Sequence, residues 1–137
     1  MNREELKQIM PHREPMLLVD EASVVGEGES RGTYTVRGDE YFLQGHFPGN
    51  PMVPGVILCE MAAQSSVVLF ADEVAGKTPV FTGMKDVKFR HSVRPGDTVT
   101  FTCRITRKKL PFCFLSAEAY VGDTLCMKGE FSFAVVD

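Results

Sequence analysis

What this 137-residue chain lacks narrows its chemistry before any motif is considered. Its four cysteines, Cys59, Cys103, Cys113 and Cys126, form no CxxC pair and no zinc-knuckle spacing, so no metal site is expected. They read as reduced, small hydrophobes, three of them in strand-like segments. Positive charge is not in excess. Fifteen Lys and Arg against eighteen Asp and Glu give a net charge of −3, which offers no general attraction to nucleic acid or to an anionic membrane. The polar opening Met1-Asn-Arg-Glu-Glu-Leu6 has no apolar centre of a secretion signal, and no apolar run of membrane-spanning length is expected. The expectation is a cytoplasmic protein with no membrane contact. Repeats, low-complexity tracts and linkers are missing too, leaving one domain over 1–137.

Hydrophobic residues make up 44% of the chain, enough for one core. A domain this small buries a limited share of its surface, so a tunnel for an alkyl chain is hard to carve from one copy, and oligomerisation is expected. Asn2 is placed to cap a short helix with Glu4 and Glu5 in its first turn, stopped by Pro11. Met16 to Val19 with Ala22 to Val25, and Gly32 to Arg37, suggest two strands around the turn Gly26-Glu-Gly28. Residues 39–54 are too rich in glycine and proline for a regular element and form a shaped loop. Val56 to Ala75 contains neither and ends at Gly76, which predicts one long helix. Pro79 to Phe89, Asp97 to Arg107, Phe112 to Val121 and Thr124 to Val136 are rich in β-branched and aromatic residues and predict four further strands, meandering antiparallel. The fold class is α+β, a long antiparallel sheet with one apolar helix across it.

Within that helix the residues are apolar almost all the way round, the pattern of a segment surrounded by protein. Glu60 interrupts it. Desolvating a carboxylate costs several kcal/mol, so Glu60 must be paired, protonated or open into a polar cavity. Gln64, one turn on, shares its face and lies within its reach. Taken alone, the pattern fits equally well a glutamate that reaches an edge or pairs with a lysine.

The segment before the helix weighs against those alternatives. His46-Phe-Pro-Gly-Asn-Pro-Met-Val-Pro-Gly55 sets a histidine at the head of a loop stiffened by three prolines. His12 and His91 read as surface or capping residues. Gly55 opens the helix, where its N–H is free to donate to an oxygen gaining negative charge and where the missing Cβ lets a carbonyl approach. A base, an oxyanion donor and a carboxyl group within fifteen residues are the parts needed to remove a proton beside a carbonyl and expel a neighbouring hydroxyl.

The run from His46 through Gly55-Val-Ile-Leu-Cys-Glu-Met-Ala-Ala-Gln64 resembles the signature of the 3-hydroxyacyl-acyl-carrier-protein dehydratases of fatty acid synthesis. Pro11-His-Arg-Glu-Pro-Met-Leu-Leu-Val-Asp20, Phe81-Thr-Gly-Met84, Lys88-Phe-Arg90 and Val93-Arg-Pro-Gly-Asp97 resemble the family's other segments, so the likeness spans most of the chain. The resemblance implies the hotdog fold, a sheet wrapped round one long helix. It also implies a homodimer, commonly a trimer of dimers, with active sites between subunits and no cofactor. It makes His46 the catalytic base, Glu60 from the partner subunit the second catalytic group, Gly55 the donor to the thioester carbonyl and Gln64 the support of the glutamate. The acyl chain is expected beside Ile57 and Met61 on the helix face. The acidic carrier protein that the family implies calls for local basic residues, with Lys85, Lys88, Arg90, Arg104, Arg107, Lys108 and Lys109 as candidates; scattered solvated charges fit the same positions.

Glu14, Met16 and the Lys109-Leu-Pro-Phe112 turn depart from the family's pattern, which bears on chain length and carrier contacts. Glutamate rather than aspartate at position 60 favours the general dehydratase over relatives that also isomerise the double bond. Hotdog domains also serve as acyl thioesterases, so hydrolysis is the competing reaction. An acyl-thioester sensor would keep the pocket without needing His46, Gly55 and Glu60.

Overall fold

A computed structural model describes residues 1–137. The Asn2 side chain accepts the Glu5 N–H (2.9 Å) and the Glu5 carboxylate accepts the Asn2 N–H (3.1 Å), a reciprocal cap that starts α1 (Arg3–Leu6). Six antiparallel strands follow: β1 (Glu21–Gly26), β2 (Glu29–Thr35), β3 (Thr78–Phe89), β4 (Thr98–Lys109), β5 (Phe112–Val121) and β6 (Thr124–Val136). They form one sheet in the order β1-β2-β4-β5-β6-β3. Its inner face is set by alternation, with Val99, Phe101 and Cys103 on β4, Cys113, Leu115, Ala117 and Ala119 on β5, and Phe131 and Phe133 on β6, all buried. All four cysteines are buried and free.

The helix under this face runs from Gly55 to Val74 in three pieces: α2 (Gly55–Ser66), a tighter 3-10 turn (Val67–Phe70) and α3 (Ala71–Val74). Ser65 and Ser66 donate back to the carbonyls of Met61 (2.8 Å) and Ala63 (2.6 Å), and two β-branched valines follow, both of which disfavour a continuous α-helix at that point. Contrary to the expectation of no membrane-length apolar run, Gly55–Val74 is long and apolar enough to cross a membrane by length and composition. In the fold most of it is covered by protein, against β2, β4 and β5. The helix lies so close to β2 that a side chain at Gly32 would collide with Ser65 Oγ and come within 3.2 Å of Ser65 Cα.

Two further expectations need correction. Met16 to Val19 is not a strand. Leu17, Leu18 and Val19 are buried, but side chains take their backbone groups: Gln64 accepts the Leu18 N–H (2.7 Å) and Arg3 donates to the Leu17 carbonyl (3.2 Å). Nor do the last four strands form a simple meander. β4 is flanked by β2 and β5, so β3 sits at the far edge against β6. That edge is irregular, with register shifts opposite Phe81/Gly83 and Lys85/Lys88 and a positive φ at Asp86 (+53°). It exposes Val80, Met84 and Phe89.

Candidate active site

The 3-10 turn Tyr41–Leu43 leads into the proline-rich loop. Gly45 (φ +79°), Phe47 (φ +57°) and Gly49 (φ +82°) take left-handed conformations, which cost a residue such as phenylalanine about 1–2 kcal/mol. The loop is held from the β3–β4 connection: the Val53 N–H donates to the Val93 carbonyl (2.8 Å), and Arg94 donates to Asn50 Oδ1 (2.7 Å) and the Pro51 carbonyl (3.3 Å). Arg94 was legible only as part of a turn, and its loop-fixing role was missed.

These restraints aim His46. Its Nδ1 lies 3.0 Å from the Met52 carbonyl, which can only accept, so the hydrogen sits on Nδ1 and Nε2 carries a free lone pair. The ring packs against Phe47 with centroids 4.2 Å apart. Beside it, Gly55 occupies the first position of α2, where the helix supplies no acceptor for its N–H. A Cβ there would lie 2.9 Å from the Phe89 ring. His46, Pro54, Gly55, Val56, Phe89 and His91 line one cleft, which puts His91 at the site's margin rather than at an unrelated surface. Val56 is 71% exposed.

Glu60 opens into a second cleft with His12, Ala63, Gln64, Val67, Pro79, Val80, Phe81 and Phe133. Its side chain is 22% exposed. Gln64, 1% exposed, fixes it through a chain of assigned bonds. Because the Leu18 N–H donates to Gln64 Oε1, Gln64 Nε2 must face the other way, where it donates to the Met16 carbonyl and to Glu60 Oε2, both at 2.8 Å. No lysine pairs with Glu60. Burial, followed by the negative Glu60, pushes up both the Tyr41 hydroxyl and the Cys59 thiol, the latter to about 11.

His12, expected as a surface or capping residue, instead stands with its Nε2 3.5 Å from Glu60 Oε2. The only sequence signal was its place in Pro11-His-Arg-Glu-Pro15. Met61, expected along the acyl chain, lies wholly in the core and lines neither cleft, because it is turned about 100° from Glu60 round the helix. Ile57 packs against the core and lines neither cleft. Within one chain His46 and Glu60 face different clefts.

The basic candidates do not form one patch. Lys85 and Lys88 on β3 and Arg90 just beyond it are exposed. Arg104 lies on β4, separated from β3 by β5 and β6, and binds Glu29 through two of its nitrogens. Lys108 pairs with Glu73, and Arg107 covers the Phe114 ring at 5.8 Å.

Comparison with known proteins accords with this architecture. Residues 23–129 match the model of the ApeI-like family, described as ApeI dehydratase. In structure, the chain is similar to the dehydratase heterocomplex ApeI:P from Xenorhabdus doucetiae, with a TM-score of 0.83 at 18% identity over 96% of this chain and 91% of that one. Fold and family match together define a hotdog-fold dehydratase. The 3-hydroxyacyl-[acyl-carrier-protein] dehydratase FabZ of Clostridioides difficile is 39% identical over 100% of this chain and 99% of its own length, and that of Macrococcus caseolyticus is 42% identical over 98% and 94%. The chain belongs to the 3-hydroxyacyl-[acyl-carrier-protein] dehydratase family.

Proposed function

We propose that the protein removes water from (3R)-3-hydroxyacyl-acyl-carrier-protein, giving the trans-2-enoyl thioester in fatty acid biosynthesis in the cytoplasm, as a homodimer whose subunits complete each other's sites. One observation carries the chemistry: the Met52 carbonyl holds the His46 hydrogen on Nδ1 and leaves Nε2 as the proton acceptor.

The thioester oxygen accepts the Gly55 N–H, which acidifies the α-carbon, and His46 Nε2 takes the α-proton. The electron pair left on carbon passes toward the carbonyl oxygen, where one well-placed donor is worth about 3 kcal/mol. As that pair returns to form the Cα–Cβ double bond, the β-hydroxyl departs with the proton carried by His46 and leaves as water, held by the Glu60 carboxylate. No metal or organic cofactor enters these steps.

For this, Glu60 must come from a second copy, since one chain sends it and His46 into separate clefts. The exposed edge of β3, with Val80, Met84 and Phe89, and the bare first turn of α2 at Val56 support pairing there. By family resemblance, three such dimers form a hexamer. The alkyl chain is assigned to the apolar end of the Glu60 cleft, along Val67, Val80, Phe81 and Phe133. Lys85, Lys88 and Arg90, which have no ion-pair partner within the chain, suit an acidic carrier.

The test is hydration of a crotonyl thioester, followed by loss of enoyl absorbance. His46→Ala and Glu60→Ala should each abolish it while leaving the fold and the dimer intact; near-native turnover in either removes that residue from the mechanism. Release of free acid and thiol instead would identify a thioesterase.

A further inference from the structure

The Glu60 carboxylate has two oxygens, and only one is explained by Gln64. Glu60 Oε2 receives the Gln64 amide at 2.8 Å, and the same oxygen faces His12 Nε2 at 3.5 Å. Both groups meet that one oxygen, while Oε1 has no hydrogen-bond partner within the chain. His12 is further constrained at its other nitrogen: Nδ1 is buried and has no hydrogen-bond partner. A buried N–H without an acceptor costs about 1–3 kcal/mol, so the hydrogen belongs on Nε2, facing Glu60, with only a lone pair at Nδ1.

The imidazole is also held in place by its neighbours in sequence. Arg13 Nη1 donates to the carbonyls of Met10 (2.9 Å) and His12 (2.7 Å), and Arg13 Nη2 donates to that of Lys7 (3.2 Å), which clamps the backbone leading up to His12 together with its own carbonyl. The charged groups around the pair are few: the cleft's other lining residues, from α2, the 3-10 turn, β3 and β6, are uncharged, and the titratable groups that feel the Glu60 charge are Tyr41 and Cys59.

We propose that His12 is a positioning residue for the dehydration: its Nε2–H and the Gln64 amide together pin Glu60 Oε2, so that Oε1 alone is presented to the leaving hydroxyl. The 3.5 Å separation is that of the substrate-free site, and hydrogen bonds at such sites tighten on substrate binding. The inference rests on the dehydratase reading, since it assigns the free oxygen to the leaving group.

The test compares side chains by reach. His12→Gln places an amide nitrogen near the position of Nε2 and should retain most of the native kcat, whereas His12→Leu keeps bulk without a donor and should lose kcat by about 10- to 100-fold with KM little changed. His12→Asn, whose amide falls one methylene short, should behave like His12→Leu and replaces it if the leucine variant does not fold. Unchanged kcat in His12→Leu or His12→Asn, or a His12→Gln enzyme as impaired as they are, overturns the proposal. A second readout is independent of turnover: 15N spectra of histidine-labelled protein should show His12 as the Nε2–H tautomer. A hydrogen on Nδ1 would overturn the positioning role and leave the reaction standing. A native enzyme without hydration activity but with the Nε2–H tautomer would overturn the reaction while supporting the contact with Glu60.

Discussion

Gln64→Glu is nearly isosteric, so it tests the network without opening a cavity. Its Oε1 would still accept the Leu18 N–H, but an oxygen would replace the amide nitrogen that now lies 2.8 Å from both the Met16 carbonyl and Glu60 Oε2. Two carboxylates at that distance repel by about 6 kcal/mol at an effective dielectric of 20. The native state therefore retains one proton on the pair, which the unfolded chain releases near pH 4.3. A carboxyl that holds its proton more tightly when folded stabilises less and less as pH rises, because the folded state then binds more protons than the unfolded one. Relative to the native protein, the variant should be nearly as stable at pH 4.5 and then lose about 1.4 kcal/mol per pH unit, roughly 3.5 kcal/mol by pH 7. Urea unfolding at fixed protein concentration, from pH 4.5 to 7.5, measures this. Parallel curves, with the same difference at every pH, would refute the bonding assigned to Gln64.

Three further outcomes are expected. Gly32→Ala should destabilise by about 3 kcal/mol in chemical denaturation, because its methyl group meets Ser65 of the packed helix and neither backbone can yield. Gly55→Ala should cost only about 1 kcal/mol, since the Phe89 ring it meets is half exposed and can swing away; the displaced ring should raise KM, and adding Phe89→Ala should recover the stability. Glu40 is buried, and although desolvation opposes its charge, the N–H groups of Arg37 and Gly38 and the Tyr34 hydroxyl hold its carboxyl below the usual range. That stabilisation is present above the unfolded carboxylate value and is lost as pH falls through the folded one. Glu40→Gln should therefore cost about 2–3 kcal/mol at pH 7, with the deficit shrinking below about pH 4 in thermal unfolding at graded pH.

The parts of the site that follow from local chemistry were legible in the sequence. Glu60 with Gln64 on one helix turn, the proline-stiffened loop behind His46 and the helix start at Gly55 are all settled within twenty residues. What escaped was long-range. His12 reaches Glu60 across forty-eight positions only because Met16 to Val19, buried from Leu17 onward, runs as an irregular segment whose backbone is satisfied by Gln64, and a run of apolar residues there looks identical to a strand. The place of β3 was hidden for a similar reason: β2 reaches β4 first, and no local pattern records which edge a later strand must take. Met61 was misplaced because a helix apolar on every side gives no sign of which side faces a ligand.

The sealed thiols have a practical consequence. Burial pushes Cys59 and Cys113 up to about 11 and Cys103 to about 12, and it also raises Cys126. At neutral pH roughly one molecule in ten thousand carries a thiolate on Cys59 or Cys113, so oxidants and alkylating reagents find almost nothing to attack while the chain stays closed. Because the four sulfurs sit on α2, β4, β5 and β6, the order in which a slow reagent marks them would time the opening of helix and sheet separately, turning an inert feature into a built-in recorder of breathing motions.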